Sequence, residues 1–149
     1  MTRVWRRRAD FTASTPSSPY WPGEDYVDWV GISIYEKGST YPYLTNTEQS
    51  SEYMVSYMLG NDSTLSSVTP WYSTYCSAAT PCVISEGGAA FHANSSSGEG
   101  VGQLALQENW WRQAWTNATF ADQFPYIKMI QLFEFDKAET DDNVGDQRD

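Results

Sequence analysis

The chain has 149 residues, of which 19 are acidic and 9 basic, giving a net charge of −10. Arg3, Arg6, Arg7 and Arg8 hold four of the nine basic positions, so the rest of the chain is strongly anionic, which repels phosphate backbones and excludes nucleic-acid binding. No apolar run approaches the ~20 residues of a membrane helix, and the length suits one domain with its own core. Seven Trp, ten Tyr and six Phe can pack that core or stack on sugar rings, a composition suited to a secreted carbohydrate-active protein.

Met1 to Arg8 resembles the basic start of a signal segment, but no apolar stretch follows it. Within it Arg3-Val4-Trp5 reads as the remnant of a strand. Trp21-Pro22-Gly23 introduces a strand over Val27 to Tyr35, nearly continuously apolar and β-branched. Asn46 reads as a helix cap with Gln49 at the third position, and Tyr53, Met54, Tyr57 and Met58 recur at helical spacing up to Gly60. A second helix is predicted from Leu65 to Ala78, with Pro70 near its first turn. A strand follows from Pro81 to Glu86, stopped by Gly87-Gly88. The third helix is predicted from Gly102 to about Asn117, where Leu104, Leu106, Trp110, Trp111, Ala114 and Trp115 form an apolar stripe packing on the sheet. Pro125 precedes a last strand from Ile127 to Phe135, and residues 138–149 read as an acidic, solvated tail. Strands alternating with helices predict an α/β fold with a parallel sheet.

Cys76 and Cys82 have five residues between them, and nothing nearby supplies the further ligands of a zinc site. They read as a short-loop disulfide, with two free thiols as the alternative. Sequons begin at Asn61, Asn94 and Asn117, and together with the cysteine pair they favour a secreted protein. Glu86 is the sharpest chemical signal. A lone carboxylate ending a hydrophobic strand before two glycines is either a catalytic group with room for a substrate, or a strand-end Glu paired with a distant cation. Tyr35, Glu86 and Phe133 to Asp136 all fall at C-terminal strand ends, where a (β/α)8 barrel gathers its active site. Such a barrel needs about 250 residues, so the chain reads as part of one.

Three stretches carry a more specific likeness: Tyr20-Trp-Pro-Gly-Glu-Asp-Tyr-Val-Asp-Trp-Val-Gly-Ile-Ser-Ile-Tyr35, Pro81-Cys-Val-Ile-Ser-Glu-Gly-Gly88 and Ile127-Lys-Met-Ile-Gln-Leu-Phe-Glu-Phe-Asp-Lys137. Together they resemble glycoside hydrolase family 26, the β-mannanase-like retaining glycosidases, especially the fungal members. The resemblance implies strands six, seven and eight of the barrel, with the first residues at the place of strand five. It implies that Glu86 is the nucleophile, that Tyr35 orients it, and that the substrate is a β-linked polysaccharide such as mannan. It also implies that the acid/base Glu ends strand four, upstream of Met1, so the isolated chain is expected to be inactive and prone to self-association. His92, Phe133 and Glu134 are the candidate substrate contacts, although Glu134 could simply pair with Lys137. Phe133 and Phe135 stand where many family members place a stacking Trp. No metal or cofactor is implied, because glycoside hydrolysis runs on two carboxyls and water. The rival readings are a non-catalytic glycan-binding or structural remnant of such a barrel and a small independent α/β domain.

Overall fold

The computed structural model describes residues 4–8, 21–36, 45–61, 70–92, 100–134, 139–140 and 147–148. Four strands, β1 (Val4–Arg8), β2 (Trp29–Glu36), β3 (Cys82–Ala89) and β4 (Ile127–Leu132), form one sheet in the order β1-β2-β3-β4. Every neighbouring pair in it is parallel. Between β2 and β3 lie helices α1 (Tyr53–Leu59) and α2 (Trp71–Tyr75), and between β3 and β4 lie α3 (Gln103–Gln113) and α4 (Ala118–Gln123). The chain is therefore an α/β protein with a parallel sheet, as its strand and helix order predicts. A separate antiparallel ladder joins β5 (Glu139–Thr140) to β6 (Gln147–Arg148), within the segment expected to be a solvated tail.

Period-two alternation divides β2 into two faces. Val30, Ile32 and Ile34 are fully buried on one face, in a core with Met54 and Met58 of α1, Trp71 and Tyr75 of α2, Trp110 of α3 and Phe120 of α4. Burying each such side chain contributes about 1.5–3 kcal/mol, so this face fastens the helices to the sheet. Gly31, Ser33 and Tyr35 alternate with them on the opposite face. β4 is less covered: Met129, paired with Val83, is 43% exposed, and Leu132 is 50% exposed.

Several boundaries differ from the sequence reading. β3 does not stop at Gly87-Gly88 but runs through both to Ala89. A Cβ on Gly87 would lie 2.9 Å from the Trp115 ring, and one on Gly88 would lie 2.6 Å from the Phe133 carbonyl oxygen. The glycines let neighbours close onto the strand; they do not end it. β4 ends at Leu132, and Phe135, Asp136 and Lys137 lie outside the described residues.

The helices are shorter than their apolar patterns suggest. α1 begins after Glu52, with no side-chain cap, so Asn46 does not cap it; it closes at Gly60, whose φ of 68° is left-handed. α2 starts directly after Pro70, while residues 62–69 lie outside the described set, and Cys76 already has extended backbone. α3 stops at Gln113 because Ala114 leaves helical geometry, with φ −135° and ψ −53°. The chain then forms α4, which the apolar pattern did not indicate. Asn117 caps it by accepting the Phe120 N–H at 3.3 Å.

Cys76 and Cys82 are joined, with their Cα atoms 5.4 Å apart. The bond ties the end of α2 to the first residue of β3, and within the loop Ser77 Oγ accepts the Thr80 N–H at 3.0 Å. Intact mass should rise by two hydrogens on reduction. The Cys76→Ala/Cys82→Ala variant should lose less than the ~3 kcal/mol expected for a 15-residue loop, read from urea unfolding. Two alkylatable thiols in the unreduced protein would contradict the bond.

Candidate functional site

The site is built on a register step between strands. Ile32 pairs with Ile84, but the next residue, Ser33, pairs with Glu86. On the other side of β3, Ile84 pairs with Ile130 and Gly87 with Leu132. Between Ile84 and Gly87, β3 thus carries one residue more than the facing stretch of either neighbour, a β-bulge at Ser85-Glu86; nearer its start, between Cys82 and Val83, the shift against β4 runs the other way, with the extra residue in β4. Strict alternation would send Glu86 to the helix face with Cys82 and Ile84. The extra residue sends it to the face of Ser33 and Tyr35 instead.

On that face the Tyr35 hydroxyl donates to Glu86 Oε2 at 2.8 Å, and Ser33 Oγ donates to the same oxygen at 3.4 Å. The Glu86 side chain is half-buried. Ser85 Oγ donates to the Ile32 carbonyl at 3.0 Å, on the last β2 residue before the register changes. Phe133 follows β4, donates its N–H to the Gly87 carbonyl at 2.9 Å, and sets its ring edge-on to Tyr35 with centroids 6.2 Å apart. The structure thus brings Tyr35, Glu86 and Phe133 together toward the C-terminal side of the sheet. Chemically, this is a carboxylate held by two hydroxyl donors beside an aromatic ring that is 43% exposed.

The other candidates are placed differently. Glu134 Oε1 accepts the Trp111 indole N–H at 3.1 Å, so it is engaged with α3, and Lys137 lies outside the described residues. His92 is not presented on the loop surface, as its position after β3 suggested. Its side chain is 2% exposed, and Asn46 clasps its backbone: His92 N–H donates to Asn46 Oδ1 and Asn46 Nδ2 donates to His92 O, both at 2.9 Å. Asn61 is exposed, Asn117 is half-buried in its capping role, and Asn94 lies outside the described residues. Among the described residues no three His, Cys, Asp or Glu gather in a way that could hold a metal ion, and no helix is long and apolar enough to cross a membrane.

Sequence reasoning passed over Glu36. It continues the Val30, Ile32, Ile34 face and is fully buried at the end of β2. Its Oε1 accepts the Gln49 N–H at 2.7 Å, while Oε2 is buried without a hydrogen-bond partner. Burial pushes this carboxyl up to about 7, with the Glu48 charge adding to the rise and the Gln49 bond opposing it. The signal was present in the alternation, since a carboxylate two residues beyond Ile34 falls on the core face.

Comparison with protein-family models and with curated proteins found no match.

Glu36 makes stability depend on pH. Its carboxyl binds a proton more tightly folded, at about 7, than unfolded, near 4.5. Its stabilising contribution is therefore complete below about 4.5 and lost as pH rises through about 7. The melting temperature should fall between pH 5 and pH 8, and Glu36→Gln should flatten that fall. A Glu36→Gln protein with the wild-type pH slope would trace the dependence to another group.

Proposed function

We propose that this chain is the C-terminal part of a retaining β-glycosidase (β/α)8 barrel resembling family 26, with β1 to β4 as strands five to eight, acting on a mannan-type β-glycan. The observation that carries the reading is the 2.8 Å bond from the Tyr35 hydroxyl to the Glu86 carboxylate, in the C-terminal halves of adjacent parallel strands. Strands that neighbour one another in chain order, with crossover helices packed on one face, agree with consecutive units of such a barrel. The exposure of Met129, on the face away from the helices, agrees with a barrel lining that further strands would cover.

In this mechanism Glu86 attacks the anomeric carbon and forms a glycosyl ester as the leaving oxygen takes a proton from an acid on strand four. The same residue, now a base, activates the water that releases the sugar and restores the Glu86 carboxylate. Such a partner carboxyl stands about 5–5.5 Å from the nucleophile. The bonds from Tyr35 and Ser33 fix the carboxylate's rotation before substrate arrives, which lowers the cost of reaching an attack geometry. Phe133, beside Tyr35 and exposed, offers an apolar ring to a sugar face. The disulfide and the exposure of Asn61, which begins a sequon, support a secreted, glycosylated enzyme.

In the chain joined to an upstream barrel half, Glu86→Ala should remove several orders of magnitude of turnover. Azide should partly restore sugar release as the inverted glycosyl azide. Glu134→Gln should cost far less, because Glu134 is engaged with Trp111. If Glu134→Gln were the more damaging change, the assignment of the nucleophile would be wrong.

The 149-residue chain alone should release no reducing sugar from mannan, xylan or β-glucan and should self-associate in light scattering, because among the described residues β1 and β4 each pair on one side only and β4 exposes Met129 and Leu132. A stable monomer whose turnover Glu86→Ala abolishes would overturn this.

A further inference from the structure

We infer that Ser85 is a positioning residue: its hydroxyl, bonded to the Ile32 carbonyl across the register step, holds the bulge that delivers the Glu86 carboxylate to Tyr35 and Ser33. An inserted residue interrupts the parallel ladder, and the strand can otherwise relax by sliding one position. Ser85 is the inserted residue, since Ile84 stays in register with Ile32 and Ile130 while Glu86 pairs with Ser33. Its Oγ reaches sideways to β2 and bonds Ile32 O at 3.0 Å, adding a side-chain tie between the strands at the step. The tether sits at the step itself, one residue before Glu86 in β3 and one before Ser33 in β2.

The consequence is directional. With the tether in place, Glu86 shares a face with Tyr35 and Gly88 shares it too, which leaves the Tyr35 ring Cδ1 and the Phe133 carbonyl free to close over the glycine. Gly87 returns to the helix face under Trp115. A one-residue slip would exchange these roles and bring a Glu against Trp115, where a charge has no water. The Ser85 hydroxyl bonds the β2 backbone rather than the Tyr35–Glu86 pair, so it acts through Glu86. Its catalytic meaning rests on the reading of Glu86 as nucleophile, whereas its effect on carboxylate geometry does not.

The test has two arms. In the first, the 149-residue chain carries ring-¹³C tyrosine, and isotope-edited infrared spectroscopy isolates the Tyr35 C–O stretch by difference against Tyr35→Phe. This reads the Tyr35–Glu86 bond at any state of association. Glu86→Ala defines the band position without its acceptor. Ser85→Ala and Ser85→Cys, which lose or weaken the donor, should move the band at least halfway to that position, and Ser85→Thr, which keeps the hydroxyl, should leave it at wild type. The Cys variant conserves volume, so it decides the matter if the Ala variant fails to fold. In the second arm, in the barrel-completed protein, Ser85→Ala should lower kcat on mannan by about 10- to 100-fold with KM within twofold, and Ser85→Thr should restore it. An unmoved band in the Ala and Cys variants overturns the inference, as does a Thr variant that behaves like Ala. A shifted band in a protein that never hydrolyses glycans supports the positioning role and removes the glycosidase reading alone.

Discussion

Period-two alternation places successive strand side chains on opposite faces, so the face on which Glu86 emerges is decided by one residue of register between β2 and β3. Glu36 shows what the other face does to a carboxyl. It lies on the helix side of β2, fully buried, with one oxygen bonded to the Gln49 N–H and the other without a partner, and burial raises it to about 7. Glu86, one strand away and turned to the opposite side, is half-buried and receives hydroxyl donors from Tyr35 and Ser33. Two acidic residues on adjacent strands thus acquire opposite environments from the sheet's geometry alone. One becomes a partner of the core, and the other a half-buried carboxyl bonded by hydroxyls on the opposite face.

The glycine pair after Glu86 follows from the same step. Restored alternation turns Gly87 toward the helices and Gly88 toward Tyr35, and each faces a neighbour too close for a Cβ. Trp115 lies against the first. The Phe133 carbonyl lies against the second, while the Phe133 N–H bonds the Gly87 carbonyl. Neither glycine needs an unusual backbone here; each is required by close approach. Phe133 can stand beside Tyr35 only because Gly88 leaves the space between the strands open. The bulge, the glycines and the aromatic pair are thus one packing solution.

Most of the sheet was legible in the sequence, because β2, β3 and β4 are apolar runs introduced by Pro or turn residues. The disulfide was legible from spacing and the lack of zinc ligands. The bulge was not, since a one-residue insertion leaves no mark in an apolar run and appears only against the partners' register. Gly87-Gly88 looked like a strand terminator because glycine weakens strands locally, whereas tertiary contacts with Trp115 and Phe133 override that preference. α4 was hidden because the apolar stripe of α3 runs on past Ala114 without a conspicuous breaker, and the cap at Asn117 read first as a sequon. Asn46 shows the reverse error: its spacing suited a helix cap, but its amide is spent on the His92 backbone.

That use of Asn46 belongs to a wider set of ties that fix the site's rim. Asn46 binds His92 after β3 through both amide atoms, and its own carbonyl accepts the Val101 N–H at 2.8 Å. Gln49, held by Glu36, accepts at its carbonyl from Asn109 Nδ2 at 3.3 Å; Asn109 in turn accepts from Gln113, and Gln113 accepts the Met54 N–H at 2.9 Å. The segment after β2 is therefore bonded to the segment after β3, to α3 and to the start of α1. Side chains here satisfy backbone groups that no ladder or helix reaches, as buried irregular chain requires. Because Tyr35 immediately precedes Glu36 on β2, a shift of this rim would carry the tyrosine with it. The network that bonds Glu36 on the buried side of β2 therefore lies one residue from the tyrosine that donates to Glu86 on the other face, so the two faces of this end of the strand are coupled through its backbone.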